Sequence, residues 1–297
     1  MKPKPPGMKP RFSDFVNLTK PTILILVVLT GATALVMEGS LLSSPWNFAL
    51  VILGLALTGG AANALNQYFE RDIDALMERT KKKRPLPLGN LSPKEAVVFA
   101  VLLGIGAVLL FAFFFNLFSA ILALATILYY AFFYTLYLKP RVYQNIVIGG
   151  AAGSMAPLIA WAAATGGLNL TPWILFLIIF FWTPPHFWAL ALCIKKDYER
   201  AKIPMLPVVK GDKETARQIL VYTLWMAAFS LGLLFVRAGL VYLLLALILN
   251  GIFLYKAYRI WRQGAFTEAW GLFGYSIVYL LVLFLGIMAD AVWHKSL

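Results

Sequence analysis

Charge is scarce in this chain. Of 297 residues only 13% are Asp, Glu, Lys or Arg, and the acids number 13, against roughly a quarter charged in an ordinary soluble domain. Such scarcity excludes a water-exposed surface over most of the protein. Cysteine is scarcer still: Cys193 stands alone, which rules out an internal disulfide framework and a cysteine-rich metal site. The chain has two histidines, His186 and His294. Regular alternation of apolar and polar residues is missing, which argues against a transmembrane β-barrel. Residues 1–20 lack the small-residue cleavage pattern of a signal peptide and the Ser-rich amphipathic character of a transit peptide. They read as a polar cytoplasmic arm with Lys2, Lys4, Lys9, Arg11, Lys20 and several prolines.

What is present is apolar. Hydrophobic residues make up 61% of the chain and fall in continuous runs of about 20, the length that crosses a bilayer core as a helix. The expected fold is an all-α membrane protein, a single polytopic domain over 1–297. Nine spans are predicted, at 21–38, 47–68, 94–115, 118–138, 144–164, 172–194, 216–236, 239–258 and 270–293. With the N-terminus cytoplasmic, 24 of the 26 Lys and Arg fall on the cytoplasmic side, leaving only Arg237 and Lys295 outside. That asymmetry supports the span count and the orientation, and predicts a multi-pass protein of a prokaryotic plasma or inner membrane. It also accounts for the net charge of +13 without a nucleic-acid partner; membrane lipid is the expected surroundings.

Two long loops, 69–93 and 195–215, then share the cytoplasmic face. The first begins with the densest acidic cluster of the chain, Asn63-Ala-Leu-Asn-Gln-Tyr-Phe-Glu-Arg-Asp-Ile-Asp74. Asn66, Glu70 and Asp74 are spaced four and four, so on a helix they lie along one face. Three stacked oxygen donors suit a hard cation such as Mg²⁺, and the basic run Arg79-Thr-Lys-Lys-Lys-Arg84 that follows suits a diphosphate. A solvated helix end with i,i+4 charge pairs explains the same residues. Arg71 and Asp72 turn away from that face. The second loop, from Asp197 to Ile203-Pro-Met-Leu-Pro207 and on to Gly211, has the same layout as the first, which ends in Arg84-Pro-Leu-Pro-Leu-Gly89. The likeness suggests an internal duplication with a period of four helices; chance resemblance of two membrane-exit loops is the alternative.

A second candidate site is Phe181-Trp-Thr-Pro-Pro-His-Phe-Trp188 in the sixth span. Two adjacent prolines remove two backbone donors and are expected to break the helix. His186 follows at membrane depth. On a continuous ideal helix Asp197 would sit about 20° from it. An intramembrane histidine is either an interhelical hydrogen bonder or a functional group. Between the two sites, Lys139 and Arg141 lie in a short turn, as topology determinants or as diphosphate donors. Asn145 then opens a helix containing Gly149, Gly150, Gly153 and Ser154, which either permits close packing or leaves room for something bulky.

The ladder Asn66-x₃-Glu70-x₃-Asp74 resembles the first Asp-rich motif of the UbiA superfamily of intramembrane prenyltransferases. Within it, the branch that farnesylates protoheme IX is similar at Leu18-Thr-Lys-Pro21, at Asn66 through Thr80, and at Asn145-Ile-Val-Ile-Gly-Gly150. It is also similar at Trp182-Thr-Pro-Pro-His-Phe-Trp-Ala-Leu-Ala191, at Asp197-Tyr198 and at Ile203-Pro-Met-Leu-Pro207. Glu70 stands where the superfamily usually has Asp, and His186 with Asp197 replaces the usual second pair of aspartates. The resemblance implies a UbiA-type bundle of nine helices and an Mg²⁺-dependent transfer of the farnesyl group of farnesyl diphosphate to the vinyl group of heme B, with addition of water, giving heme O and diphosphate. Asn66, Glu70, Asp74 and Asp197 would hold Mg²⁺. Arg79, Lys83, Arg84, Lys139 and Arg141 would hold the diphosphate. His186, Trp182 and Asn145 would line the heme pocket, with His186 and Asp197 counted among the catalytic residues. The product would pass to a heme A synthase or a terminal oxidase assembly.

Other functions compete. A prenyltransferase for another aromatic acceptor shares the first motif but has no need of the Trp-Thr-Pro-Pro-His run. A secondary transporter explains a broken helix, a buried His and a repeat, but would place its acids at the midplane. A heme-bearing electron carrier needs paired axial ligands, which His186 and the distant His294 do not provide.

Overall fold

The computed structural model describes residues 11–236, 238–264 and 266–296, the last three by backbone alone. Residues 1–10 of the predicted arm, Arg237, and the side chains of His294 and Lys295 lie outside that description. The elements are all helical, with no strand among the described residues. The described residues include nine helices long and apolar enough to cross a membrane: Pro21–Glu38, Pro45–Phe69, Pro93–Phe114, Leu117–Leu138, Asn145–Thr165, Leu170–Cys193, Gly211–Phe235, Leu240–Gln263 and Phe266–Trp293. The predicted spans match these in number and order. The seventh begins five residues earlier than its apolar run, with Asp212 and Glu214 in its first turn, where the helix dipole favours them.

The boundaries follow from local chemistry. Pro21, Pro45 and Pro93 stand in the first turn of their helices, where a missing N–H costs nothing. Ser92 and Glu95 form a reciprocal capping box, Glu95 N–H donating to Ser92 Oγ at 3.2 Å and Ser92 N–H to Glu95 Oε2 at 2.8 Å. Large apolar side chains such as Leu102, Phe113 and Leu240 face outward, a surface suited to lipid and costly in water.

Consecutive spans pack on one another, the ninth returns to the first, and the sixth touches the fifth, seventh and ninth. Small residues let this happen at close range. A Cβ at Gly149 would overlap the Tyr134 ring, and one at Gly150 would come within 3.1 Å of Thr183. Gly149 and Gly150 of the fifth span are therefore used for close packing against the fourth and sixth.

Two expectations need correction. The sixth span is not broken at Pro184-Pro185: one helix runs Leu170–Cys193 through both prolines. Both rings are buried, Thr183 Oγ1 donates to Ile179 O at 2.8 Å, and Trp182 Nε1 donates to Ser276 O of the ninth span at 2.8 Å. Packing holds this segment helical where an isolated helix would kink. The interruption lies in the fifth span, between Asn145–Gly153 and Ala156–Thr165, where Pro157 has no N–H to give the Gly153 carbonyl four residues back. His186 and Asp197 do not share a helix, because the sixth span ends at Cys193 and a separate helix covers Lys195–Arg200; the 20° alignment fails with it. The arm includes a helix, Phe12–Thr19, docked on the second span.

Candidate active site

The second span ends at Phe69 and a short helix, Arg71–Leu76, continues it. Backbone bonds cross the junction without losing register: Glu70 N–H to Asn66 O at 2.9 Å and Asp74 N–H to Glu70 O at 2.8 Å. The three ladder side chains therefore stay on one face, each only 2% exposed.

Cations converge on them from three directions. Arg84 Nη1 donates to Glu70 Oε2 at 3.3 Å and to Asp74 Oδ2. Arg84 is held by its own N–H on Thr80 O, and the Thr80 hydroxyl donates to Asp74 O at 2.8 Å. Lys139 Nζ donates to Glu70 Oε1. Lys139 follows a π-helical segment, Tyr129–Leu138, and its N–H reaches Tyr134 O, five residues back. Such segments are rare and concentrate at functional sites. Lys20 Nζ donates to Asn66 Oδ1 at 2.8 Å. Lys20 has a left-handed backbone (φ 54) between the N-terminal helix and the first span. Its surroundings impose this: Asn63 Nδ2 donates to Thr19 O, and Gln67 Nε2 to Asn17 O and Leu18 O, all at 3.0 Å.

The amide of Asn66 has a defined orientation. Its Nδ2 donates to Thr135 Oγ1 at 3.1 Å, and the Thr135 hydroxyl donates to Tyr130 O at 2.8 Å. Its Oδ1 is thereby left facing Lys20 and the cluster. The charges do not balance: two carboxylates meet three cations. Glu70, although burial opposes its ionisation, is held down to about 2 by Lys139, Arg84 and Lys20. Burial raises Asp74, which has Arg84 as its bonded cation and Glu70 as a repelling neighbour. Burial and the nearby Arg84 push Lys20 well below its usual value.

The second loop covers the first. Asp197 Oδ2 accepts from the Arg79 N–H at 3.2 Å, and Arg200 Nη1 donates to Glu78 Oε1 at 3.2 Å. Met77 of the first loop packs in an apolar cluster with Ile146, Ala191, Tyr198, Ile203 and Met205. Burial raises the Tyr198 phenol, with the charges of Arg79, Glu70 and Arg84 acting on it as well.

His186 belongs to a different set of contacts, deeper along the sixth span. Its Nδ1 lies 2.6 Å from Ser276 Oγ of the ninth span. Its ring stacks against Trp182 at 4.4 Å and Phe273 at 4.7 Å, and meets Phe187 edge-on at 5.2 Å.

Of the residues singled out in the sequence, Asn66, Glu70, Asp74, Arg84 and Lys139 come together. Asp197 does not join them; it tethers the loops, and among the described residues no group of three His, Cys, Asp or Glu is gathered to share a metal ion. Arg79 contributes its backbone N–H while its side chain is exposed, as is that of Lys83. Arg141 turns away, its Nη1 capping Leu136 O at 2.6 Å. Trp182 and His186 share Ser276, whereas Asn145 is wholly buried, with Nδ2 on Val142 O at 2.6 Å and Oδ1 without a partner among the described residues. Sequence reasoning missed Lys20, Thr135 and Ser276 as members of these sites. The run Leu18-Thr-Lys-Pro21 was the available signal for Lys20.

The family model described as the UbiA prenyltransferase family matches residues 25–285. A protoheme IX farnesyltransferase of Bartonella henselae is 43% identical over 281 residues, covering 93% of this chain and 89% of that protein. One of Microcystis aeruginosa is 46% identical over 282 residues, covering 94% and 89%. Among solved structures, a digeranylgeranylglyceryl phosphate synthase superposes with a TM-score of 0.74 at 20% identity, covering 94% of this chain and 98% of that one. A UbiA homolog from Archaeoglobus fulgidus bound to DMAPP and Mg²⁺ gives 0.68 at 14% identity, covering 91% and 99%. At those identities the structural likeness is one of fold.

Proposed function

The chain belongs to the UbiA prenyltransferase family, and from that premise we propose that it transfers the farnesyl group of farnesyl diphosphate to a vinyl group of heme B, with addition of water, to give heme O and diphosphate. The reading rests on one observation above all: two buried carboxylates and an oriented amide oxygen meet three cations at one face of the bundle. That arrangement suits an anion that arrives with a metal. The acceptor follows from relatives named protoheme IX farnesyltransferase that align over nearly the whole chain.

The donor set fits Mg²⁺. Glu70 Oε2 and Asp74 Oδ2 already converge on a single nitrogen of Arg84, and Asn66 Oδ1 is turned to the same cluster. All three are hard oxygen donors of the kind this ion takes. When bound there, Mg²⁺ neutralises the diphosphate and acts as a Lewis acid on it. Arg84, Lys139 and Lys20 bind the diphosphate oxygens and stabilise the charge that grows on them as the C1–O bond breaks. Thr135 keeps Asn66 in its useful orientation. The Asp197 and Arg200 contacts hold the second loop over the first and exclude water from the diphosphate end. The apolar bundle houses the farnesyl chain. The vinyl carbon of heme B then attacks farnesyl C1, the resulting cation is stabilised by the adjoining pyrrole, and water adds to it with loss of a proton. His186 contacts the porphyrin. The basic side chains on the loop face orient the protein with that face in the cytoplasm of a prokaryotic cell. Heme O is then available to a heme A synthase or a terminal oxidase assembly.

The deciding experiment supplies purified protein with heme B, farnesyl diphosphate and Mg²⁺ and resolves the hemes by mass. The expected product is a hydroxyfarnesylethyl heme. Its absence from preparations that bind both substrates would sink the proposal.

A further inference from the structure

Ser276 has one proton and two neighbours that want it. Its Oγ lies 2.6 Å from Phe273 O, which can only accept, and 2.6 Å from His186 Nδ1. If the hydroxyl donates to the carbonyl, as serines in helices commonly do, its lone pair faces His186 and Nδ1 must carry the hydrogen. The neutral imidazole then keeps its lone pair on Nε2. No other group among the described residues bonds Nε2, and the side chain is only half-buried. The ring cannot turn over to offer its other nitrogen without displacing Trp182 and Phe273, which stack against it. Trp182 is itself pinned by Nε1–H to Ser276 O at 2.8 Å. Ser276 is fully buried, so its main chain and side chain together fix both rings.

We propose that Ser276 is a positioning residue that holds His186 as its Nδ1–H tautomer and aims the Nε2 lone pair at the iron of the porphyrin acceptor. A histidine that ligates a metal through one nitrogen ordinarily donates from the other to an oxygen, which fixes the ring and raises its basicity. The Ser276 hydroxyl supplies that oxygen from a helix 90 positions away in sequence. The proposal rests on the reading of His186 as a porphyrin contact, and its tests separate the two.

The tautomer is read directly by nitrogen NMR of protein labelled with ¹⁵N-histidine, in a His294→Gln background so that one imidazole remains. Protonated Nδ1 and unprotonated Nε2 are expected before any heme is added. Ser276→Ala should lose that preference, and Ser276→Thr should keep it. A protonated Nε2 in the parent, or an unchanged tautomer in Ser276→Ala, overturns the proposal whatever the substrate is. Titration with ferric heme B, followed by its Soret band, tests the other half. Ser276→Ala should bind about tenfold more weakly, with a shifted band, and Ser276→Thr should restore both. If His186→Ala binds heme with the parent's affinity and spectrum, His186 is not a ligand of the iron and the porphyrin reading fails, although the tautomer result stands.

Discussion

Lys20 stands 46 positions before Asn66, yet its ammonium donates to Asn66 Oδ1 at 2.8 Å. The N-terminal helix Phe12–Thr19 is thereby part of the diphosphate end, fastened to the second span by Asn63 and Gln67. Lys20→Met should raise the KM for farnesyl diphosphate at least tenfold while leaving heme B binding as it was. A change of that size is about 1.4 kcal/mol, ordinary for one charge-assisted hydrogen bond. A KM unchanged in steady-state assays would mean that Lys20 only braces Asn66.

Glu70 and Asp74 should separate in the ligand-free protein. The Glu70 carboxyl is lowered from 4.5 to about 2. A depressed acid contributes stability that is complete above 4.5 and is lost as pH falls toward 2. At neutral pH Glu70→Gln forfeits it, on the order of 3 kcal/mol at most. Asp74 is raised from 3.8, so its contribution has the opposite sign: present at low pH and lost as pH rises through its folded value. Asp74→Asn should therefore leave the thermal midpoint at pH 7 unchanged or higher, while Glu70→Gln lowers it. Both should abolish turnover. Equal thermal losses in the two variants would show that the cluster does not divide its cations in this way.

Metal and diphosphate should bind as a pair. Arg84 Nη1 occupies the point where the two carboxylates converge, so Mg²⁺ alone has to displace a guanidinium. Adding inorganic diphosphate gives Arg84, Lys139 and Lys20 another partner. In thermal-shift measurements Mg²⁺ alone should do little. Mg²⁺ with diphosphate at a hundred times its Kd should stabilise by about 2.7 kcal/mol. A full shift with Mg²⁺ alone would mean that the carboxylates are free of Arg84 in solution.

What was legible in the sequence depended on range. Span length is a property of consecutive residues, so all nine spans could be read from hydrophobic runs. The Asn66–Glu70–Asp74 face follows from helical periodicity, and the junction at Glu70 keeps that periodicity. Arg84 and Lys139 were named from charge and loop position. Lys20 and Ser276 act across 46 and 90 positions, and no local pattern encodes such distances. The π-helical turn Tyr129–Leu138 has the same apolar, aromatic composition as its neighbours. Pro184-Pro185 misled because the rule for proline concerns an isolated helix, while Trp182 and Thr183 are held by the ninth span and by the preceding turn.

Gly149 should control the shape of that π-helical turn. A Cβ there would overlap the Tyr134 ring. Tyr134 stacks on Tyr130 at 5.1 Å, and its carbonyl accepts from the Lys139 N–H. The Tyr130 carbonyl in turn accepts from Thr135, which orients Asn66. Overpacking of this kind costs about 1–3 kcal/mol. Gly149→Ala should therefore lower the thermal midpoint and also reduce kcat/KM for farnesyl diphosphate, since Thr135 and Lys139 move with the ring. Gly153 ends the same helix with nothing among the described residues within 4 Å of its would-be Cβ, so Gly153→Ala is the matched control and should leave both quantities as they are. If Gly149→Ala loses stability but keeps kcat/KM, the turn is a packing feature and Thr135 does not depend on it.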